Sequence, residues 1–144
     1  MLFEETANQA AGGALLRERV VDIYEKARKH LDRYTIEILT PAAGEFLIGD
    51  IPAVSINSGT GALGVAGGVA LLEADVLALP LGRGHLAWLH RGTGSGYRSI
   101  PADEVEMANA IQVLAAQRYV FTHPGSGLDT FTARVRKNQR YPQA

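Results

Sequence analysis

From Ile51 to Leu72 the chain runs through 22 residues without a charge, five of them glycine. How this run folds constrains every architecture open to the chain. It is a membrane-spanning helix, the turn and helix of a dinucleotide-binding unit, or a glycine-rich loop. Its length suits a helix crossing a bilayer of about 30 Å. Its composition argues otherwise, because Pro52, Ser55, Asn57, Ser58, Thr60 and the glycines weaken a spanning helix in both transfer energy and propensity.

The dinucleotide reading has a literal basis in Gly59-Thr60-Gly61-Ala62-Leu63-Gly64. Such a fingerprint needs a strand before the turn, a helix whose first amides meet the pyrophosphate, and an acid about 20 residues on for the ribose. Here the preceding segment, from Ile51 to Asn57, is short and carries Pro52 near its start. Gly67 and Gly68 stand where the helix should consolidate, at a cost of about 0.8–1.0 kcal/mol each relative to alanine. Glu73 and Asp75 come too early, and no Gly-Lys-Ser or Gly-Lys-Thr is present for a phosphate loop. The run therefore reads as a surface loop, and no cofactor is expected.

With 144 residues, 47% hydrophobic and 20% charged, the chain fits a single domain over 1–144. A chain of this size buries about 68–70% of its extended surface without metal or disulfide staples. A net charge of −1 gives the chain as a whole no pull toward nucleic acid or anionic lipid. The absence of cysteine excludes disulfides, thiolate metal sites and a cysteine nucleophile. Arginine outnumbers lysine, and alanine and glycine are abundant, the bias of a high-GC bacterial genome. The acidic start, Met1-Leu2-Phe3-Glu4-Glu5, lacks the basic-then-apolar order of a secretory signal, so a cytoplasmic location is expected.

Residues 14–34 place Leu16, Val20, Ile23, Tyr24, Ala27, Leu31 and Tyr34 at steps of three and four, one apolar stripe on a helix. The period then shortens. Thr35 to Leu39 and Glu45 to Gly49 read as two strands of a hairpin around a Thr-Pro-Ala-Ala-Gly turn. Val76 to Leu81 and His85 to His90 form a second hairpin around Gly82-Arg83-Gly84, with Pro80 at an edge, a strand end or a bulge. Residues 91–98 read as a loop. A helix at about 101–117 opens on Pro101 with Asp103, Glu104 and Glu106 near its N-terminus. Tyr119 to Thr122 is a short strand, and Leu128 to Asn138 a last basic helix bearing Phe131 and Val135. The expected fold is α+β: a largely antiparallel sheet of two hairpins plus a C-terminal strand, packed by an N-terminal helix and the helix at 101–117.

Catalytic patterns are sparse. None of His30, His85, His90 and His123 lies in a His-Glu-x-x-His helix, and His85 and His90 face opposite ways on one strand, so no metal site is expected. No Gly-x-Ser-x-Gly elbow occurs. Arg134, Arg136, Lys137 and Arg140 form a basic cluster that reads either as a phosphate contact or as a solvated tail, the latter favoured by the near-neutral net charge. Polar residues at element ends are the candidates for a binding site: Asp50 ends an apolar strand, Asn57 opens the glycine-rich loop, and Arg83 sits in the hairpin turn. Asn109 interrupts the apolar ladder of a helix, Arg118 precedes a strand and His123 closes it. A carboxylate at a strand end can act as a base or ligand. It can equally accept turn backbone bonds, or pair with Arg118 as a structural tie.

Three of these segments also carry a resemblance. Phe46 to Val54, Val76 to Leu89 and Val105 to His123 together resemble the C-terminal region of an uncharacterised bacterial family, a domain of unknown function. Its members show a Phe-Ile-x-Ser-Asp-Asn-Pro strand end, a Pro-Leu strand, and an Asn-containing helix followed by an Arg-Tyr-Val-Phe strand. Asp50 and Pro52 match the first motif, Pro80 and Leu81 the second, and Asn109, Arg118, Tyr119 and Phe121 the third. Gly49 and Ile51 depart from it, standing where the motif has Ser and Asn. The resemblance covers about residues 35–123 and implies the α+β architecture but no reaction.

The resulting expectation is a small cytoplasmic binding or interaction module that holds a small molecule or protein partner near Asp50, with residues 57–68 as a rim. The alternative is a hydrolase or phosphodiester-acting enzyme with Asp50 as base or ligand, His123 as acid and Arg118 as anion clamp. No nucleic acid or membrane partner is expected, and apolar exposure in the loop suits a homodimer.

Overall fold

The computed structural model describes residues 2–60, 71 and 73–140, of which residues 2–11 and 140 are described by their backbone alone. The chain divides into two compact units, Met1–Arg33 and Tyr34–Ala144.

The first unit is one helix, α1 (Leu2–Leu31). Arg28, Lys29 and His30 in its last turn complement the negative end of the helix dipole, and Asp22 pairs with Lys26 at one-turn spacing. Leu16, Val20, Ile23 and Tyr24 of the expected stripe are 57–65% exposed. The helix forms as the spacing predicts, but those side chains are not covered.

The second unit holds β1 (Thr35–Pro41), β2 (Ile48–Gly49), β3 (Val54–Ile56), β4 (Val76–Gly82), β5 (His85–His90), β6 (Gly96–Ile100), α2 (Ala102–Ala115), β7 (Val120–Phe121) and α3 (Leu128–Arg140). Five strands form a sheet in the order β3-β4-β5-β1-β6, and β2 pairs with β7 in a separate ribbon. The fold is α+β with a mostly antiparallel sheet; only β1 and β6 run parallel. The β4–β5 hairpin forms as its turn chemistry predicts, with a register shift between Pro80 and Gly82. That shift falls where proline has no N–H to offer the ladder.

Three features differ from expectation. β1 does not form a hairpin with residues 45–49; it lies between β5 and β6. The end of the segment read as loop, residues 96–98, together with Ser99 and Ile100 forms β6, introduced by Gly94 and Gly96 at φ of +113° and +107°, values that a side-chain-bearing residue rarely adopts. β7 pairs with β2 instead of joining the large sheet.

The core joins the inner face of the sheet to α2. Leu39, Val54, Val76, Ala78, Leu86 and Ile100 meet Val105, Ala108 and Ala115, with Phe46 beside them. The burial of β4 alternates as a strand with one covered face should. No helix among the described residues is long and apolar enough to cross a membrane.

Candidate functional site

Residues 45–52 run from the β4–β5 turn to the loop after α2. This segment is too irregular for a strand over most of its length, yet it packs against α2, so its backbone groups need partners. Two carboxamides of α2, one turn apart on one face, supply them. Asn109 Oδ1 accepts from the Leu47 N–H at 3.0 Å, and its Nδ2 donates to the Glu45 carbonyl at 2.9 Å. Gln112 Oε1 accepts from the Gly49 N–H at 3.2 Å, and its Nε2 donates to the Pro52 carbonyl at 2.9 Å. Both side chains are buried. Each replaces a neighbouring strand for the residues it meets. Gly49 permits the close approach: a Cβ there would lie 3.1 Å from the Gln112 carbonyl oxygen and 3.2 Å from Ala116 Cβ.

Asp50 ends this segment and is engaged by backbone. One carboxylate oxygen accepts from the Gln117 N–H at 2.9 Å, the other from Arg118 N–H at 2.9 Å and Tyr119 N–H at 3.2 Å, while the Asp50 N–H donates to the Tyr119 carbonyl at 2.9 Å. Desolvation works to raise its pKa, but the donations from Arg118, Tyr119 and Gln117 outweigh it and hold the carboxyl below its ordinary 3.8. An acid so held is a poor proton acceptor near neutrality. It acts as the tie between β2 and the loop after α2; its partner is the Arg118 backbone, not the Arg118 guanidinium.

Arg83 and His123 line one groove. The turn of the β4–β5 hairpin and the segment after β7 wall a groove of about 310 Å³, lined by Ile48, Leu81, Arg83, Phe121, His123 and Pro124 among others. Leu81 and Phe121 are 58% and 57% exposed, so the groove presents apolar surface to its occupant. Phe46 N–H donates to the Arg83 carbonyl. The Arg83 guanidinium donates from Nε (3.0 Å) and Nη2 (2.7 Å) to Glu45 Oε2, leaving three of its five N–H donors free of this pair. Glu45 Oε1 is buried without a hydrogen-bond donor among the described residues. Glu45 was not foreseen as part of the site; its one sequence signal is an acid beginning an apolar run.

The remaining candidates lie elsewhere. Asn57 closes the neck of the glycine-rich loop, with Nδ2 donating to the Glu73 carbonyl (3.0 Å) and Oδ1 accepting from Thr60 N–H (3.2 Å). Beside it the Ser58 hydroxyl and N–H donate to Asp75, and these bonds, the hydroxyl's first, hold that carboxyl below 3.8. β3 and β4, on either side of this loop, are antiparallel neighbours. A dinucleotide unit needs a parallel crossover there, so the topology does not support the glycine fingerprint. Most of the expected 57–68 rim, residues 61–68, lies outside the described residues.

The three-residue enzyme site does not assemble. Asp50 is engaged by the backbone of Gln117, Arg118 and Tyr119, whereas His123 lines the groove beyond β7, whose lining does not include Asp50. The Arg118 side chain is exposed in a different hollow, after α2. Among the described residues no three His, Asp or Glu side chains are placed to share a metal ion. No protein-family model, curated protein or solved structure matches the chain.

Proposed function

We propose that the chain is a small binding module whose site is the groove between the β2–β7 ribbon and the β4–β5 turn, and that its ligand is a small molecule with an apolar body and a carboxylate or carbonyl acceptor. The observation that carries this reading is the convergence of Arg83 and His123, 40 residues apart, on a concave apolar surface formed by Leu81 and Phe121. Pockets of this kind take most of their affinity from apolar contact and their orientation from a few polar groups. Here the apolar body would rest on Phe121 and Leu81, and the acceptor would meet the N–H groups of Arg83 that Glu45 leaves available. Asp50 and Asn109 stay outside the contact set, as the fasteners that keep the ribbon in place.

The test is a thermal-shift titration of the full chain with a panel of aryl and alkyl carboxylates, repeated on Phe121→Ser and Leu81→Ser. Both side chains are exposed, so the variants retain the fold. At least one carboxylate should stabilise the parent saturably and lose about tenfold or more in affinity in each variant, the equivalent of about 1.4 kcal/mol. Saturable binding that ignores both substitutions, or no binding across the panel, refutes the assignment.

A further inference from the structure

The arginines of the second unit whose side chains are described fall into two sets. Arg83 pairs with Glu45, Arg98 with Glu37 and Glu104, and Arg134 with Glu106; the Arg91 guanidinium lies 5.6 Å over the Tyr34 ring. Arg118 and Arg136 have no carboxylate partner among the described residues, and these two share a hollow of about 340 Å³ with Gln117, Gln139 and Ala116. No acid lines it.

The hollow is built on a fixed backbone. Asp50 fastens residues 117–119 by accepting their three N–H groups. Arg136, half-buried on α3, donates from Nη2 to the Arg118 carbonyl at 3.2 Å. That bond pins its guanidinium to the loop and leaves four of its donors, while Arg118 keeps all five. Two opposing charges lie close by: the Asp50 carboxylate, turned toward the loop amides, and the C-terminal end of α2, worth about half a negative charge. Two guanidinium groups exceed them, so among the described residues the balance at the hollow is positive.

We infer that this hollow is an anion site for the phosphate monoester of a small molecule. Two guanidinium forks and two carboxamides offer more donors than one carboxylate can accept, whereas the three terminal oxygens of a phosphate monoester use them. A polyanion is disfavoured because the chain's net charge is −1 and Arg134, the neighbouring arginine of α3, is already paired with Glu106. The site is separate from the apolar groove and does not depend on it.

The test is nitrogen-edited NMR of the full chain, following the Arg118 and Arg136 Nε–H and the Gln117 and Gln139 amide signals. Inorganic phosphate and phenyl phosphate are the probes, with sodium chloride at matched ionic strength as the control. Both phosphates should give saturable shifts at these signals, weakened about tenfold or more in Arg118→Gln with an unchanged melting temperature. Arg136→Gln should weaken binding similarly. If it unfolds, Arg118→Gln decides, because that side chain has no partner to lose among the described residues. Shifts that only track chloride, binding indifferent to Arg118→Gln, or tighter binding of single-stranded oligothymidylate than of phenyl phosphate overturns the inference.

Discussion

Replacing Asn109 with alanine isolates the amide fastening that holds residues 45–52 to α2. The Leu47 N–H loses its acceptor in a site where Leu47 and Asn109 are each 2% exposed, and a buried donor left unpaired costs about 1–3 kcal/mol. The Glu45 carbonyl loses its donor too, but its part-buried position admits water and limits that loss to about 0.5–1.5 kcal/mol. Together the substitution should destabilise by about 1.5–4.5 kcal/mol, from a total of about 5–15 kcal/mol for a domain of this size. At about 4 °C per kcal/mol, the melting temperature falls by about 6–18 °C. Urea unfolding followed by circular dichroism measures it as a lower midpoint at unchanged slope.

Asn109→Asp is the informative companion. It keeps the acceptor for Leu47 but sets an oxygen against the Glu45 carbonyl and a charge in a buried site, so at neutral pH it should be at least as damaging as alanine. Burial raises the pKa of the new carboxyl, so its penalty should shrink as the pH falls through that raised value and the protonated acid donates to Glu45. A loss below about 0.5 kcal/mol for Asn109→Ala, or an Asn109→Asp protein as stable as the parent at pH 7, refutes the assignment of Asn109 as a backbone fastener.

Other outcomes follow from the same segment. Gly49→Ala should cost about 1–3 kcal/mol by overpacking, because the Gln112 carbonyl and Ala116 Cβ, 3.1 and 3.2 Å from the new methyl, sit on a helix end that cannot easily retreat; a thermal melt reads it, and an unchanged melting temperature would show that the helix end yields. The Asp50 and Asp75 carboxyls are both held below 3.8, so in that acid range the unfolded chain binds more protons than the folded one. The stability they contribute is complete above 3.8 and is lost as the pH falls through their depressed folded values. Urea midpoints measured from about pH 5 to 2 should therefore fall more steeply for the parent than for Asp50→Asn, and parallel acid limbs would remove Asp50 from the account.

What the sequence reveals here is what local chemistry decides. The helical spacing that sets α1, the Gly82-Arg83-Gly84 turn with its irregularity at Pro80, and the proline and acids that open α2 each act within a few residues, and the helix, the hairpin and the helix start are each present in the structure. β6 could not be read in this way. Its residues 96–99 are exposed, so no alternation marks them, and its parallel register on β1 depends on a partner about 60 residues away. The hairpin expected of residues 45–49 fails for a related reason: their apolar character reports burial, while the groups that satisfy their backbone are Asn109 and Gln112, more than 60 residues downstream. Asn109 stands out in the sequence because it breaks an apolar ladder, but nothing local shows that it serves a backbone. Arg83 and His123 were legible as polar residues at element ends; their meeting across one groove is a property of the fold alone.

The β2–β7 ribbon has two residues in each strand, too few to persist on its own. It exists because Asn109, Gln112 and Asp50 clamp its two sides from outside the ladder. One wall of the groove should therefore detach and reseat while the five-stranded sheet stays whole, with the Val120 and Phe121 amides exchanging with deuterium well before those of β4 and β5. Entry to the groove then need not be limited by its resting width, since the ladder that bounds it is only two residues long on each side.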